Sequence, residues 1–260
     1  VLKAQNLTGT LPPELVNLPY LEEIDLTLNY LSGTIPEQWG SFTRLLNMKK
    51  IKIKRKNTFL YCWKYSVLKA QNLTGTLPPE LVNLPYLEEI ELTLNYLSGT
   101  IPQQWGSFTR LLNIFLTSNN FTGEVPETFA GLMTMNDLRI GDNNFSGKIP
   151  DFIQNWTNLE KLVIQASGLN GPIPRHIAFL ENLSDLILRS CNITGQLPEY
   201  LWKMNKLTTL DLSFNKLTGE IPSSYNLLTQ VSNWKLAKWT SALLDAKQRQ
   251  QHVSFSSKLM

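Results

Sequence analysis

One pattern constrains this chain of 260 residues more than any other: six consecutive 24-residue units run without a gap from Leu87 to Gln230. The last unit, LTTLDLSFNKLTGEIPSSYNLLTQ, shows the shared template L-x-x-L-x-L-x-x-N-x-L-x-G-x-I-P, and an isolated unit from Leu21 to Arg44 fits it equally well. A single unit of this size cannot bury its own apolar residues, whereas stacked units bury a continuous core. The chain is therefore expected to fold as a solenoid. The six units begin at Leu87, Leu111, Met135, Leu159, Leu183 and Leu207.

Each fixed position of the template has a physical role. Alternation at positions four and six predicts a short strand, and stacking then pairs successive strands in parallel. The amide at position nine can satisfy backbone groups where the strand bends. Glycine at thirteen permits a tight turn, and proline at sixteen has no N–H to donate. The predicted amide ladder contains Asn29, Asn95, Asn119, Asn143 and Asn215, with Cys191 at the same position of another unit.

The template is that of the leucine-rich repeat, and LSGTIP, FTGEVP, FSGKIP, LNGPIP, ITGQLP and LTGEIP resemble its plant-type form. Longer stretches such as LRSCNITGQLPEYL and LDLSFNKLTGEIPSSY are similar to ectodomains of receptor-like serine/threonine kinases that carry a malectin-like domain. The resemblance covers residues 1–47 and 67–230. It implies an α/β solenoid with a parallel β-sheet on the concave face and short 3-10 or irregular segments on the convex face. The secretion signal, capping cysteines, malectin-like domain, membrane span and kinase of that family are not recognisable in this sequence.

A second level of repetition lies above the 24-residue period. Residues 1–47 recur as 67–113, with changes only at Asp25, which becomes Glu91, and Glu37, which becomes Gln103. The repeat consensus alone does not produce near-identity over such a length. The near-identity therefore indicates a recent duplication or a gene-model error. The offset of 66 residues equals two turns of 24 and one of 18, and therefore predicts one turn shortened by six residues.

Two segments depart from the template. In the insert, Met48, Ile51 and Ile53 match the strand positions weakly, and we interpret this segment as translated non-coding sequence. The tail has Val231, Trp234 and Leu236 at strand-like spacing, followed by an apolar and Lys-rich pattern compatible with an amphipathic helix. We interpret it as a poorly ordered end rather than a membrane- or partner-binding helix. The predicted organisation is a first copy at 1–47, the basic insert at 48–66, the second copy and its continuation at 67–230, and a non-repeat tail at 231–260.

The charged residues are unevenly distributed among these four segments. The whole chain has a formal net charge of +3, but the insert contributes seven Lys or Arg and no acid, and the tail contributes five basic residues and one acid. The repeats alone are therefore acidic. The basic run from Lys49 to Lys56 is interpreted as an accidental basic loop, because no aromatic platform or nucleic-acid-binding motif accompanies it. No nucleic-acid partner is expected.

Candidate chemistry is sparse, and no catalytic residue, metal site or cofactor is predicted. The two histidines, His176 on the expected convex side and His252 in the tail, do not complete a catalytic set. Protein kinase motifs are absent, so the chain is not predicted to be an enzyme, although the parent family would be. No disulfide is expected between Cys62 and Cys191. Clustered acids are interpreted as a solvated face rather than a catalytic pair. They are Glu88, Glu89 and Glu91, with Glu22, Glu23 and Asp25 in the first copy.

Binding is expected on the concave sheet, where positions three, five, seven and eight point outward. The fifth column contains apolar residues although it is expected to face solvent, and arginines lie nearby, a mixture enriched at interfaces. The alternative is that these side chains only pack laterally on one another. The predicted partner-binding residues are Phe115, Arg139, Asp142, Val163, Gln165, Ile187, Arg189 and Phe214.

Seven Asn-x-Ser/Thr sequons predict glycosylation and favour secretion, although five of them arise from the template itself. They stand at Asn6, Asn72, Asn120, Asn144, Asn155, Asn182 and Asn192. The expected function is an extracellular binding region of a single-pass receptor-like kinase at the plasma membrane. It would bind a peptide, a glycan-bearing ligand or a co-receptor ectodomain, with membrane contact only through other parts of the parent receptor. A soluble leucine-rich repeat inhibitor, a receptor-like protein and a non-functional gene copy are the alternatives.

Overall fold

The computed structural model describes residues 2–18, 21, 23–41, 50–52, 72–219 and 233–235. Across these residues the chain forms a solenoid whose turns contribute a strand to a concave sheet, and many add a side strand and a convex 3-10 helix. The strands are β1 (Thr8–Thr10), β2 (Glu23–Asp25), β3 (Tyr30–Gly33), β4 (Lys50–Lys52), β5 (Asn72–Leu73), β6 (Glu89–Glu91), β7 (Ser98–Gly99), β8 (Asn113–Phe115), β9 (Asn120–Gly123), β10 (Asp137–Arg139), β11 (Asn144–Phe145), β12 (Lys161–Val163), β13 (Asn170–Pro172), β14 (Asp185–Ile187), β15 (Asn192–Gln196), β16 (Thr209–Asp211), β17 (Lys216–Thr218) and β18 (Asn233–Lys235). The 3-10 helices are η1 (Pro13–Asn17), η2 (Glu37–Ser41), η3 (Pro79–Asn83), η4 (Gln103–Ser107), η5 (Glu127–Gly131), η6 (Asp151–Asn155), η7 (Arg175–Phe179) and η8 (Glu199–Lys203).

The concave sheet is parallel throughout. Within the described residues it has nine strands in the order β2-β4-β6-β8-β10-β12-β14-β16-β18, so that each strand neighbours those of the adjacent turns. Residues at position four of adjacent turns pair with one another, as Leu138 does with Leu162 and Leu162 does with Leu186. Side strands pair in three smaller sheets, β1-β3-β5, β7-β9-β11 and β13-β15-β17. The predicted solenoid fold is therefore confirmed.

The core lies between the concave strands and the convex helices. Leucines at positions one, four and six are almost fully buried, as Leu207, Leu210 and Leu212 show. Burial of each such side chain stabilises the fold by about 1.5–3 kcal/mol. Indole rings fill the convex side, where the Nε1 of Trp39 and of Trp105 each donate over 3.1 Å to a proline carbonyl of the preceding turn. Adjacent turns are thereby joined by packing and by hydrogen bonds.

The predicted amide ladder is present. Asn119 is buried, and its Nδ2 donates to the carbonyl oxygens of Leu92 at 2.9 Å and Leu116 at 3.0 Å. Its Oδ1 accepts from the backbone N–H of Leu97 at 3.1 Å. Cys191 occupies the same place, and its buried thiol faces the carbonyl of Ile164 in the preceding turn. The ladder thus satisfies backbone groups that the strand bend leaves unpaired.

The insert contributes a strand to the concave sheet. Ile51 is fully buried and pairs in register with Ile24 on one side and Ile90 on the other. The prediction of one turn shortened by six residues is therefore wrong, because only two turns separate Ile24 from Ile90. The first advances 27 residues and the second 39, and both exceed the 24-residue period. The side strands β3 and β5 pair directly across the junction of the two copies.

Registered positions beside this strand alternate in charge. Lys50 pairs with Glu23 and Glu89, and the next outward position repeats the order acid, base, acid with Lys52 at its centre. The interpretation of the basic run as a loop is wrong for Lys50–Lys52.

The tail also contributes a strand, because β18 pairs in parallel with β16 and places Trp234 in register with Leu210. The strand-like spacing in this part of the tail is confirmed. The part of the tail with the helical pattern lies outside the described residues, as do most of the insert, Cys62 and His252. The division of the chain into four segments stays a prediction.

Candidate binding face

The outward positions of the concave sheet bring most of the predicted binding residues together. Phe115, Arg139, Val163 and Ile187 stand on four successive strands in direct register. In the described part of the chain, each of the four is partly exposed. These side chains form a continuous stripe across the sheet. Its order is one aromatic residue, then the arginine, then two aliphatic residues.

Arg139 is the most strongly fixed member of this stripe. Its Nε and Nη2 donate to the Asp137 carboxylate at 2.9 and 2.7 Å, and its guanidinium carbon lies 5.0 Å from the ring centre of Phe115. The hydrogen bond to Asp137 raises the pKa of Arg139, against an opposing effect of burial and with smaller contributions from Glu91 and Asp185. The group is cationic at any working pH, and its bidentate partner holds it in one orientation.

A second arginine lies further along the solenoid with a different environment. The guanidinium of Arg189 lies 4.9 Å from the ring centre of Phe214, which is 48% exposed. Within the described part of the chain, no acidic side chain forms an ion pair with Arg189. Stacked on an aromatic ring and open to solvent, this cation is available to an incoming anionic group.

Asp142, Gln165 and Phe214 complete the predicted set at the edge of the stripe. The Gln165 amide donates to the Asp142 carboxylate at 3.2 Å, and Ser118 donates to the same oxygen at 3.4 Å. Asp142 and Phe214 share a left-handed backbone with the other described residues at position eight. This conformation costs roughly 1–2 kcal/mol in a non-glycine residue. Sequence reasoning missed it, because position eight shows no glycine or other signal. The positions in question are Ala4, Leu28, Leu94, Ser118, Asp142, Ala166, Ser190 and Phe214.

The acidic residues are less solvated than predicted. Glu89 is buried, with its carboxylate 3.4 Å from the Asn113 amide nitrogen, and is not part of an open acidic face. Asp137 and Asp211 are also buried, the latter accepting hydrogen bonds from the N–H and hydroxyl of Ser213. Lateral packing between adjacent turns covers these side chains, a contact that a single repeat does not reveal. Glu22 lies outside the described residues.

The sequons fall into two structural groups. Five asparagines stand at position ten, just after the amide ladder, and all five are exposed. Two others are half-buried: the Nδ2 of Asn155 donates to Ala130 at 3.1 Å, and that of Asn182 donates to Thr157 at 3.0 Å. The exposed group lies beside the concave face without entering it. It consists of Asn6, Asn72, Asn120, Asn144 and Asn192.

The remaining chemistry of the described residues is structural. His176 lies in η7 on the convex side, with its Nδ1 3.0 Å from the Asp151 carboxylate in the preceding turn. No group of three or more His, Cys, Asp or Glu capable of holding a metal ion occurs in the ranges that the structure describes. In the same ranges, no helix has the length and apolar character needed to cross a membrane.

Comparison with known proteins agrees with this geometry. The leucine-rich repeat family model matches residues 20–42, 135–156, 182–204 and 206–228. These residues form leucine-rich repeats, and the described residues have the fold that such repeats build. A probable leucine-rich repeat receptor-like serine/threonine-protein kinase of Arabidopsis thaliana is 58% identical over 48 residues, which is 18% of this chain and 5% of that protein. The chain spans only a small part of the curated relatives that it matches.

Solved structures extend the similarity to almost the whole chain. The Arabidopsis receptor kinase HAESA, solved with the peptide hormone IDA and the co-receptor SERK1, matches with a TM-score of 0.75 and 27% identity over 88% of this chain and 35% of that one. A TDR receptor matches with a TM-score of 0.69 and 30% identity over 89% of this chain and 41% of that one. A plant ice-binding protein matches with a TM-score of 0.64 and 29% identity over 90% of this chain and 81% of that one. The repeats are homologous to the ectodomains of plant receptor kinases. The narrower resemblance to kinases with a malectin-like domain stays a prediction.

Proposed function

We propose that this chain is the ligand- and co-receptor-binding repeat region of a plant receptor-like kinase, located on the extracellular face of the plasma membrane. The observation that carries the proposal is the concave stripe from Phe115 to Ile187, continued by Arg189 and Phe214. Partly exposed aromatic and aliphatic side chains beside arginines are a common source of binding energy in protein interfaces. HAESA, which has the same fold, is solved with a peptide hormone and a co-receptor.

The stripe also defines the chemistry of the ligand. A peptide lying along the sheet would place apolar side chains against Val163 and Ile187, and an acidic group against Arg189. The guanidinium of Arg139 is already neutralised by Asp137, so it contributes shape and aromatic stacking more than net charge. An extracellular peptide with an apolar segment followed by a carboxylate is therefore the favoured ligand class.

The test is a change of the stripe that leaves the core intact. Phe115, Val163 and Ile187 are replaced together by Asp, and binding is measured by surface plasmon resonance against the SERK1 ectodomain with and without a library of synthetic secreted peptides. Binding by the native chain and its loss in the variant, with unchanged circular dichroism, are expected. Equal binding by both proteins would remove the stripe from the interface.

A second candidate function is that of a soluble leucine-rich repeat protein. It is favoured by one specific observation: a plant ice-binding protein has the same fold, with a TM-score of 0.64 and 29% identity. Sequencing of the transcript beyond residue 260 distinguishes the candidates, because a membrane span and kinase motifs support the receptor and an early stop codon supports a soluble protein.

A further inference from the structure

The seven sequons differ in whether the fold leaves the asparagine side chain open to a glycan. N-glycosylation joins Nδ2 of asparagine to C1 of an oligosaccharide held on a polyprenyl diphosphate. The C1–O bond to the diphosphate breaks, the diphosphate leaves, and Nδ2 loses one proton. The folded chain must then hold a bulky, hydrated group at Nδ2. Five sequons present an exposed asparagine at position ten, and we call these asparagines the lateral row. It consists of Asn6, Asn72, Asn120, Asn144 and Asn192.

Side strands hold the lateral row outward, and four of its five asparagines are the first residue of such a strand. In β9 the residues are alternately exposed and buried, so that Asn120 and Thr122 face solvent on either side of the buried Phe121. The same alternation recurs in β15, which begins at Asn192. Within the described part of the chain, no side-chain hydrogen bond holds Asn120, Asn144 or Asn192. A glycan on any of these three extends into solvent without breaking a contact of the fold.

The other two sequon asparagines use the same nitrogen to join adjacent turns. The Nδ2 of Asn182 donates to the carbonyl of Thr157 in the preceding turn at 3.0 Å, and its Oδ1 accepts from the Nζ of Lys206 in the next turn at 2.6 Å. The Nδ2 of Asn155, at the end of η6, donates to the carbonyl of Ala130 at 3.1 Å. Both asparagines are half-buried. A sugar bonded to either nitrogen would lie against the backbone of the neighbouring turn and oppose the stacking of the two turns.

Duplication and the short repeat bring sites of the lateral row close together. Asn72 is the second copy of Asn6, and Asn120 and Asn144 belong to consecutive turns. Pairing of β9 with β11 places Asn144 in register with Thr122, the hydroxyl residue of the Asn120 sequon, at a strand spacing of about 4.8 Å. A glycan is wider than this spacing, so glycans on the two turns would cover one continuous area.

We infer that the lateral row is the glycan-bearing surface of this chain and that Asn155 and Asn182 are structural residues without glycans. This inference rests on the extracellular location in the proposed function, because oligosaccharide transfer takes place in the secretory pathway. A chain with a sugar on Asn155 or Asn182 does not complete the stack of turns and is retained before secretion. Secreted protein therefore carries glycans on the lateral row alone. They close this flank of the solenoid to a protein partner.

The experiment uses the full chain, secreted from plant cells behind a signal peptide of another protein. Peptide N-glycosidase A in heavy-oxygen water converts each occupied asparagine to a labelled aspartate, which mass spectrometry counts. Lys216→Asn adds a site to the lateral row, because Leu217 and Thr218 already complete the sequon in β17. Lys216→Gln is its matched control. In unglycosylated chain from bacteria, Asn182→Ala and Asn144→Ala compare the two groups of asparagines by thermal melting.

We expect the lateral row and the Lys216→Asn site to be occupied in most secreted molecules, and Asn155 and Asn182 to be occupied at least about fivefold less often. Asn182→Ala should lower the melting temperature by about 2–4 °C, because it removes hydrogen bonds between turns, whereas Asn144→Ala should leave it unchanged.

High occupancy of Asn155 or Asn182 in the secreted chain would overturn the inference, and so would an empty lateral row. Neither result bears on the proposed receptor function, which is tested by binding to the concave stripe. If the protein isolated from its own plant tissue carries no glycan although the secreted chain is occupied, the extracellular location is overturned, and the natural modification with it.

Discussion

At the scale of single residues, the amide ladder gives the sharpest expectation for stability. Asn119→Ala leaves the N–H of Leu97 without its buried acceptor, whereas the carbonyls of Leu92 and Leu116 each lose one of two amide donors and keep Asn95 and Asn143. An unsatisfied buried group costs about 1–3 kcal/mol, and we expect a loss of that size in the free energy of unfolding. Urea denaturation measures it. Asn120→Ala in the unglycosylated chain is the control, because this neighbour is exposed and its loss is expected to change stability by less than about 0.5 kcal/mol.

Glycine at position thirteen combines two requirements that substitutions can separate. Gly9 and Gly99 both have positive φ, but an added Cβ meets nothing within 4 Å at Gly9 and the Thr76 methyl at 2.8 Å at Gly99. Gly9→Ala is therefore expected to cost only the backbone strain of about 1–2 kcal/mol, and Gly99→Ala about 1–3 kcal/mol more because of overlap. Thr76→Ser removes the methyl group that the new Cβ would overlap, so combining it with Gly99→Ala should restore the stability lost to that overlap. Equal destabilisation by the two single substitutions in thermal melts would contradict this account of the contact.

At the scale of elements, β4 decides whether the insert is part of the folded protein. Ile51 is fully buried between Ile24 and Ile90, so an aspartate there would place an unpaired charge in the core. We expect Ile51→Asp to destabilise the chain by more than about 3 kcal/mol, and Ile51→Val by about 0.5–1.5 kcal/mol. Denaturation of both variants provides the measurement. A small effect of Ile51→Asp would show that the two copies fold without this strand.

The sequence predicted the elements that repeat and failed where neighbouring turns decide the outcome. Strand positions, the ladder and the glycine turn follow from the template, because each is a local requirement that every turn must meet. The role of Ile51 was underestimated because its strand matches the template weakly, and only its pairing with Ile24 and Ile90 reveals it. Burial of Glu89 and the stacking of Arg189 on Phe214 depend on side chains 24 or 25 residues away in the chain. Such contacts follow from stacking and not from any one repeat.

At the scale of the whole molecule, different positions of each turn lie on different surfaces of the solenoid. The sequons at position ten follow the amide ladder, and the stripe from Phe115 to Ile187 belongs to the concave sheet. Glycans on the exposed sequons would therefore leave the concave sheet open to a partner. Since each turn repeats the same order, a surface can be lengthened or altered by changing one column of positions without disturbing the core.

Glycans placed by design test this separation for the receptor function. Val163→Asn with Gln165→Thr creates a sequon within the stripe, whereas Lys203→Asn with Asn205→Thr creates one on the exposed surface at η8. In chains secreted from plant cells, we expect the first glycan to abolish binding to the SERK1 and peptide panel, because it covers the apolar centre of the stripe. The second should leave binding unchanged. Mass spectrometry of glycopeptides confirms occupancy of both new sites, and binding that survives an occupied glycan in the stripe would place the partner on another face of the solenoid.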